Sequence, residues 1–203
     1  MASNFDASWT IAYAKKRSRN KAGRISTLSE YEFTLKFRLP DANADPGQFI
    51  DALAEAGCDD AAIGIGQQGR IALDFTREAA SALDAIISAI RAVKTAIPGA
   101  ELIEASPDFV GLTDVADLVG CTRQNMRKLM VSNLATFPVA VHEGSQAIWH
   151  LRPVLAWFSE TQKRAIDRSL IEISEVTMKV NIAKEARRVP GAALPRELEA
   201  LFA

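Results

Sequence analysis

The chain has 203 residues, 48% of them hydrophobic and 24% charged, with a formal net charge of −1. This is ordinary globular composition, enough for a core of useful size. No run approaches the roughly 18 apolar residues of a membrane span, and the apolar residues near the N-terminus precede the basic ones, the reverse of a secretory signal. A soluble, cytoplasmic protein is expected.

Charge is spread unevenly. Residues 1–30 hold six Lys/Arg against two acids, 31–112 six against thirteen, 113–158 four against three, and 159–188 seven against five. An acidic middle repels phosphates, so the remainder is the better nucleic-acid surface. Cys58 and Cys121 lack a CxxC partner and a His at ligand spacing, so two reduced thiols and no metal or other cofactor are expected.

Residues 1–30 read as a flexible basic arm. Its stretch KKRSRNKAGR (15–24) has no hydrophobic face. It serves either as a solubilising tail or as an arm that follows phosphates or enters a minor groove. From residue 31 the pattern is regular. YEFTLKFRL (31–39) alternates strictly, which predicts a half-buried strand ended by Pro40. Asp45-Pro46 offers an N-cap and a first-turn proline to a helix carrying Phe49, Ile50, Leu53 and Ala54, stopped by Gly57. Residues 61–66 and 70–75 read as strands of a hairpin around Gln67-Gln68-Gly69. A helix over 77–96 follows, with Leu83, Ile86, Ile87, Ile90, Val93 and Ile97 as its apolar stripe. Pro98-Gly99 ends it, and 100–105 is a last strand. The fold class is therefore α+β, with a ferredoxin-like βαββαβ domain over 31–106, a fold that hosts many functions and names none.

No nucleophile elbow, phosphate loop, metal motif or catalytic carboxylate pair is found, so an enzyme is not expected. Gly64, Gly66 and Gly69 spell GxGxxG, but between two strands and opening no helix, so a hairpin explains them better than a dinucleotide site. Asp59 and Asp60 are expected to face solvent.

The texture changes from Pro107, where a third segment, 107–158, begins. Thr113 is expected to cap a short helix over 114–119, Gly120 to end it in a left-handed turn, and Thr122 to cap a second helix over 123–131. Two short helices across a glycine turn make a helix-turn-helix, whose second member enters the major groove. In that second helix Met126, Leu129 and Met130 share one face, and Arg123, Gln124, Asn125, Arg127 and Lys128 form the rest. Arg pairs bidentately with guanine, and Gln and Asn with adenine. No acid occurs from 118 to 142. Residues 139–142 and 147–150 read as a two-stranded wing around 143–146, with Trp149 packed beneath. His142 and His150 lie on the wing as surface or phosphate-facing residues. Pro153 opens another helix, anchored by Val154, Trp157 and Phe158.

The ordered series Val115-Ala116, Gly120, Thr122-Arg123, Phe137-Pro138, Trp149 and Pro153-Val154 with Trp157 resembles the winged helix-turn-helix of the AlpA/excisionase and MerR-like group, over about residues 111–158. Proline stands at 153 where that group often has Asp, and it serves a helix start as well. The resemblance implies double-stranded DNA binding, with Arg123, Gln124, Asn125, Arg127 and Lys128 on the groove-facing helix. With the cap and the wing, the expected DNA-binding set is Thr122, Arg123, Gln124, Asn125, Arg127, Lys128, His142, Ser145 and Gln146.

Residues 159–188 lack Gly and Pro and predict one long helix. Ile166, Leu170, Ile173, Thr177 and Val180 space as a short coiled-coil seam; ordinary packing on the α/β domain is the alternative. The stretch 159–203 is read as a dimerisation helix and tail. The leading reading is a dimeric transcriptional repressor on a pseudo-palindromic operator. The other is an antitoxin-type protein that neutralises a protein partner through its arm or α/β domain and autoregulates through the same DNA module.

Overall fold

The computed structural model describes residues 28–189, so both the basic arm at 15–24 and the tail after 189 lie outside the described residues. The chain is mixed α+β. Four antiparallel strands, β1 (Ser29–Arg38), β2 (Ala61–Gly64), β3 (Arg70–Ala79) and β4 (Glu101–Ser106), form a sheet in the order β2-β3-β1-β4. The alternation read in β1 holds: Tyr31, Phe33, Leu35 and Phe37 are buried on one face. Phe33 lies directly opposite Phe75 in the register, and the rings stack at 5.0 Å.

That buried face is covered by α1 (Ile50–Glu55), α2 (Ala82–Ala96) and a late helix, α6 (Arg168–Arg188). Asp45 caps the turn before α1 as expected, its carboxylate accepting from the Gly47 N–H at 2.9 Å. Gly69 is required where it stands. With φ at +70°, an added Cβ would fall 2.3 Å from the Ala42 carbonyl oxygen.

The start of α2 differs from expectation. Residues 77–79 belong to β3, where they pair with Ser29–Tyr31, and the helix begins only after Ser81, whose hydroxyl caps Asp84 N–H. Strand pairing outweighs local helix propensity there. Arg77 holds the strand in place. Its guanidinium forks onto both Asp60 oxygens at 2.7 Å, donates to Gly57 O and Ser88, and lies over the Phe75 ring. The Asp60 hydrogen bonds, chiefly, raise the pKa of Arg77. Asp60 is thus an ion-pair partner where a solvent-facing acid was expected. The helix also turns differently from the expected stripe. Ala82, Ala85, Ile86, Ala89 and Val93 face the sheet, while Leu83 and Ile87 are exposed.

Beyond the sheet come β5 (Phe109–Val110), α3 (Leu112–Leu118), α4 (Arg123–Ser132), β6 (Trp149–His150) and α5 (Leu151–Glu160). A second hydrophobic cluster lies among them, built on Val115, Ala116, Met126, Phe137, Trp149, Val154, Leu155, Trp157 and Phe158. The long helix expected over 159–188 is broken. Residues 161–167 are irregular, with Lys163 at φ 53°, and Asp167 caps a new start by accepting from Ser169 N–H and Oγ at 2.7 Å.

Most of the expected coiled-coil seam is occupied inside the chain. Ile173 and Thr177 are buried, and Leu170 and Val180 pack on the sheet cluster. Ile166, Leu170 and Ile171 pack on the second cluster. Thus α6 straps the two cores together, which is the packing alternative to a dimer seam.

A polar network completes the strap. The Asn181 amide takes the Ala105 N–H at 2.9 Å and gives to Ala105 O at 2.8 Å, capping the outer edge of β4. It also gives to Asp108 Oδ2 at 2.8 Å, and His150 Nδ1 lies 2.7 Å from Asp108 Oδ1. Asp108 is 1% exposed, and Asn181 is fully buried. Thr177 Oγ1 donates to Pro107 O at 2.6 Å, and Lys184 Nζ to Ile103 O. Asn181→Leu should therefore lower unfolding free energy by about 3–5 kcal/mol, because it leaves a buried carboxylate and an edge peptide short of partners. Ile182→Ala, at an exposed site on the next residue, should change it by less than about 0.5 kcal/mol; urea midpoints read both.

Candidate nucleic-acid interface

Helices α3 and α4 meet at Gly120, whose φ of +67° allows the left-handed turn between them. The cap of α3 is not Thr113. The helix starts earlier, at Leu112, with Gly111 as N-cap, and the Asp114 carboxylate accepts the Gly111 N–H at 2.7 Å. Thr122 caps α4 as expected, its Oγ1 accepting from Asn125 N–H at 3.2 Å. One face of α4 is pinned. Met126 has no exposed surface, and Leu129 and Met130 pack beside it. Arg123, Gln124, Asn125, Arg127 and Lys128 are all exposed. The structure therefore brings the five proposed base-reading side chains onto one short, anchored helix.

The segment after α4 is held by aromatic rings rather than by a sheet. Phe137 stands edge-on to Trp149 at 5.9 Å and to Trp157 at 5.0 Å. Trp149 Nε1 donates to Pro138 O at 3.0 Å, and Trp157 Nε1 to Thr136 Oγ1 at 3.2 Å. These contacts fix where the chain leaves α4 and where α5 begins.

The expected wing strands differ in detail. Residues 139–142 form no strand; a single antiparallel bridge, His142 to Ile148, closes the 143–147 loop. Trp149 and His150 pair instead with Val110 and Phe109. His142, Ser145 and Gln146 remain exposed on the loop. His150 does not face phosphate: it turns inward to Asp108, with its side chain 17% exposed. A buried acid claims it, and nothing local in the sequence marks that pairing. Comparison with protein-family models, characterised proteins and solved structures finds no match to this chain. The resemblance of residues 111–158 is thus carried by its motif residues alone.

Other polar groups have structural places. Burial pushes the Cys58 thiol up, away from its thiolate. Among the described residues, no group of three or more His, Cys, Asp or Glu is placed to hold a metal, and no helix is long and apolar enough to cross a membrane. Sequence reasoning missed Asp108 and Arg152. The latter bridges α5 to α6, its Nε 3.6 Å from Glu175 Oε2. Phe137→Ala should destabilise the chain by about 3–5 kcal/mol through the cavity it opens between two indoles. Near-ultraviolet circular dichroism should report the loosened tryptophans below the unfolding midpoint.

Proposed function

We propose that this chain binds double-stranded DNA sequence-specifically through α4, as a transcriptional repressor. On this reading the four-stranded sheet with its helices is a ferredoxin-like domain, and residues 107–158 are a winged helix-turn-helix with a short, loop-like wing. One observation carries the proposal. A capped, ten-residue helix presents Arg123, Gln124, Asn125, Arg127 and Lys128 to solvent while Met126 locks its other face. The side chains are those that read base edges in the major groove, and residues 118–142 hold no acid to repel phosphate. His142, Ser145 and Gln146 extend the same surface as loop contacts.

A single short helix reads few base pairs, so two copies on a pseudo-palindrome supply the rest. Much of the α6 seam is occupied within the chain, so the copies join through another surface. The experiment is enrichment of sequences from a random duplex pool, in which a recurrent motif in two halves is the expected result. With the enriched site, Arg123→Ala and Arg127→Ala should each weaken binding by about 1–3 kcal/mol and relax one base position if they read bases. Lys128→Ala should weaken all sequences alike and reduce the salt slope by about one if it contacts phosphate. Unchanged affinity in both arginine variants would remove α4 from the groove.

A further inference from the structure

The face of the sheet turned away from α1, α2 and α6 has no covering element among the described residues. It is not an open plane. Helix α3 lies beside it, and a cleft of about 800 Å³ runs between them. Glu32, Asp74 and Glu104 enter it from the strands, and Asp114 and Asp117 from α3; Lys36 is its sole base among the described residues. Lys36 is already paired with Glu104 at 3.3 Å. Asp108 also borders the cleft, but its two oxygens are engaged by Asn181 and His150. The other five carboxylates and one ammonium leave the cleft at −4. Its lining also includes Phe109, which is 41% exposed, beside Pro107 and Leu118. An occupant of this cleft has to be cationic and carry some apolar surface.

The chain itself carries such a segment at the right distance. Residues 15–24 hold six Lys/Arg and no acid, and Trp9 and Tyr13 precede them. They end five residues before Ser29, the first residue of β1, and Glu32 lies only three residues into that strand. Five extended residues reach about 17 Å, and three residues of strand span about 10 Å. A chain that turns back at Leu28 thus has length enough to lay Arg24 and Lys21 beside Glu32 and Asp74. The tether makes the effective concentration high, in the millimolar range for a short linker.

We propose that the basic segment 15–24 docks in the acidic cleft between the open sheet face and α3 of its own chain. Docking stands independently of DNA binding. Where the DNA reading holds, duplex phosphates compete with the cleft for the same six cations and draw the arm out.

The test uses the full chain without DNA, as an equal mixture of nitrogen-15-labelled and unlabelled protein. A zero-length carbodiimide joins amines to carboxylates in contact, and mass spectrometry reads the linked peptides. The expected result is Lys15, Lys16 or Lys21 joined to Asp74, Glu104 or Asp114, within copies of one isotope. Yields should fall at least about threefold at 0.5 M salt, where the Debye length drops below about 5 Å. They should fall similarly at Asp74 and Asp114 in the double variant Glu32→Gln/Asp117→Asn, which removes two exposed charges in the cleft. Three results would overturn the proposal: links from the arm to acids outside the cleft, such as Asp51 or Glu55, in equal yield; links mainly between copies of different isotope, which assign the arm to a second copy; or yields indifferent to both salt and the double variant. Loss of DNA binding in a separate titration leaves these outcomes unaffected.

Discussion

Asp108 is an acid sealed from water at the junction of the two hydrophobic cores, and its pairing constrains most of what surrounds it. One oxygen takes a hydrogen bond from Asn181 on α6, and the other lies against His150 at the start of α5. Its backbone carbonyl takes the Leu151 N–H at 2.6 Å. An unpaired carboxylate in that place would cost several kcal/mol. The sheet edge, the strap helix and the aromatic cluster therefore have to arrive together. The same junction fixes the start of α5, and so the platform on which Phe137 and the two tryptophans hold the chain leaving α4.

Charge is distributed unevenly over the molecule. The open sheet face and the flank of α3 are acidic, whereas α4 and the loop after it carry no acid until Glu143. On the proposed DNA-binding reading, a polyanion would be repelled by the acidic surface and not by α4, so the uneven charge would orient an approaching duplex even though the net charge is near zero. Rigidity matters to the same end. On the same proposed reading, base readout needs side chains on a helix that does not rock, and α4 is held by a buried methionine and a capped first turn.

Much of this was legible in the residues. Alternation in β1, the cap at Thr122, the turn at Gly120 and the polar face of α4 are local patterns with local physical causes. What escaped was polar and distant in sequence. Asn181 and Asp108 are 73 residues apart, and each reads alone as a solvated side chain. Arg77 reads as the start of a helix because its partner, Asp60, reaches it only once β2 and β3 have paired. The break after α5 has no glycine or proline to announce it; its one signal is Asp167 two residues before Ser169, a cap that the apolar spacing of 166–180 overshadows. The expected hairpin over 139–150 keeps only the His142–Ile148 bridge, because Trp149 and His150 pair instead with Val110 and Phe109, about forty residues earlier in the chain, where two-residue strands leave no periodicity to detect.

The clasp of Asn181 on Ala105 has a further consequence, for how this sheet meets other chains. A sheet ends in two rows of unpaired peptide groups, and either row can recruit a foreign strand. Along β4, α6 already fills that row: Asn181 satisfies both groups of Ala105, Lys184 takes the Ile103 carbonyl, and Thr177 takes that of Pro107. Among the described residues the other edge of this sheet is β2, four residues long and ending in glycine. Among the described residues, the four-stranded sheet can therefore be extended by strand addition at one edge, and there by little more than a single short segment.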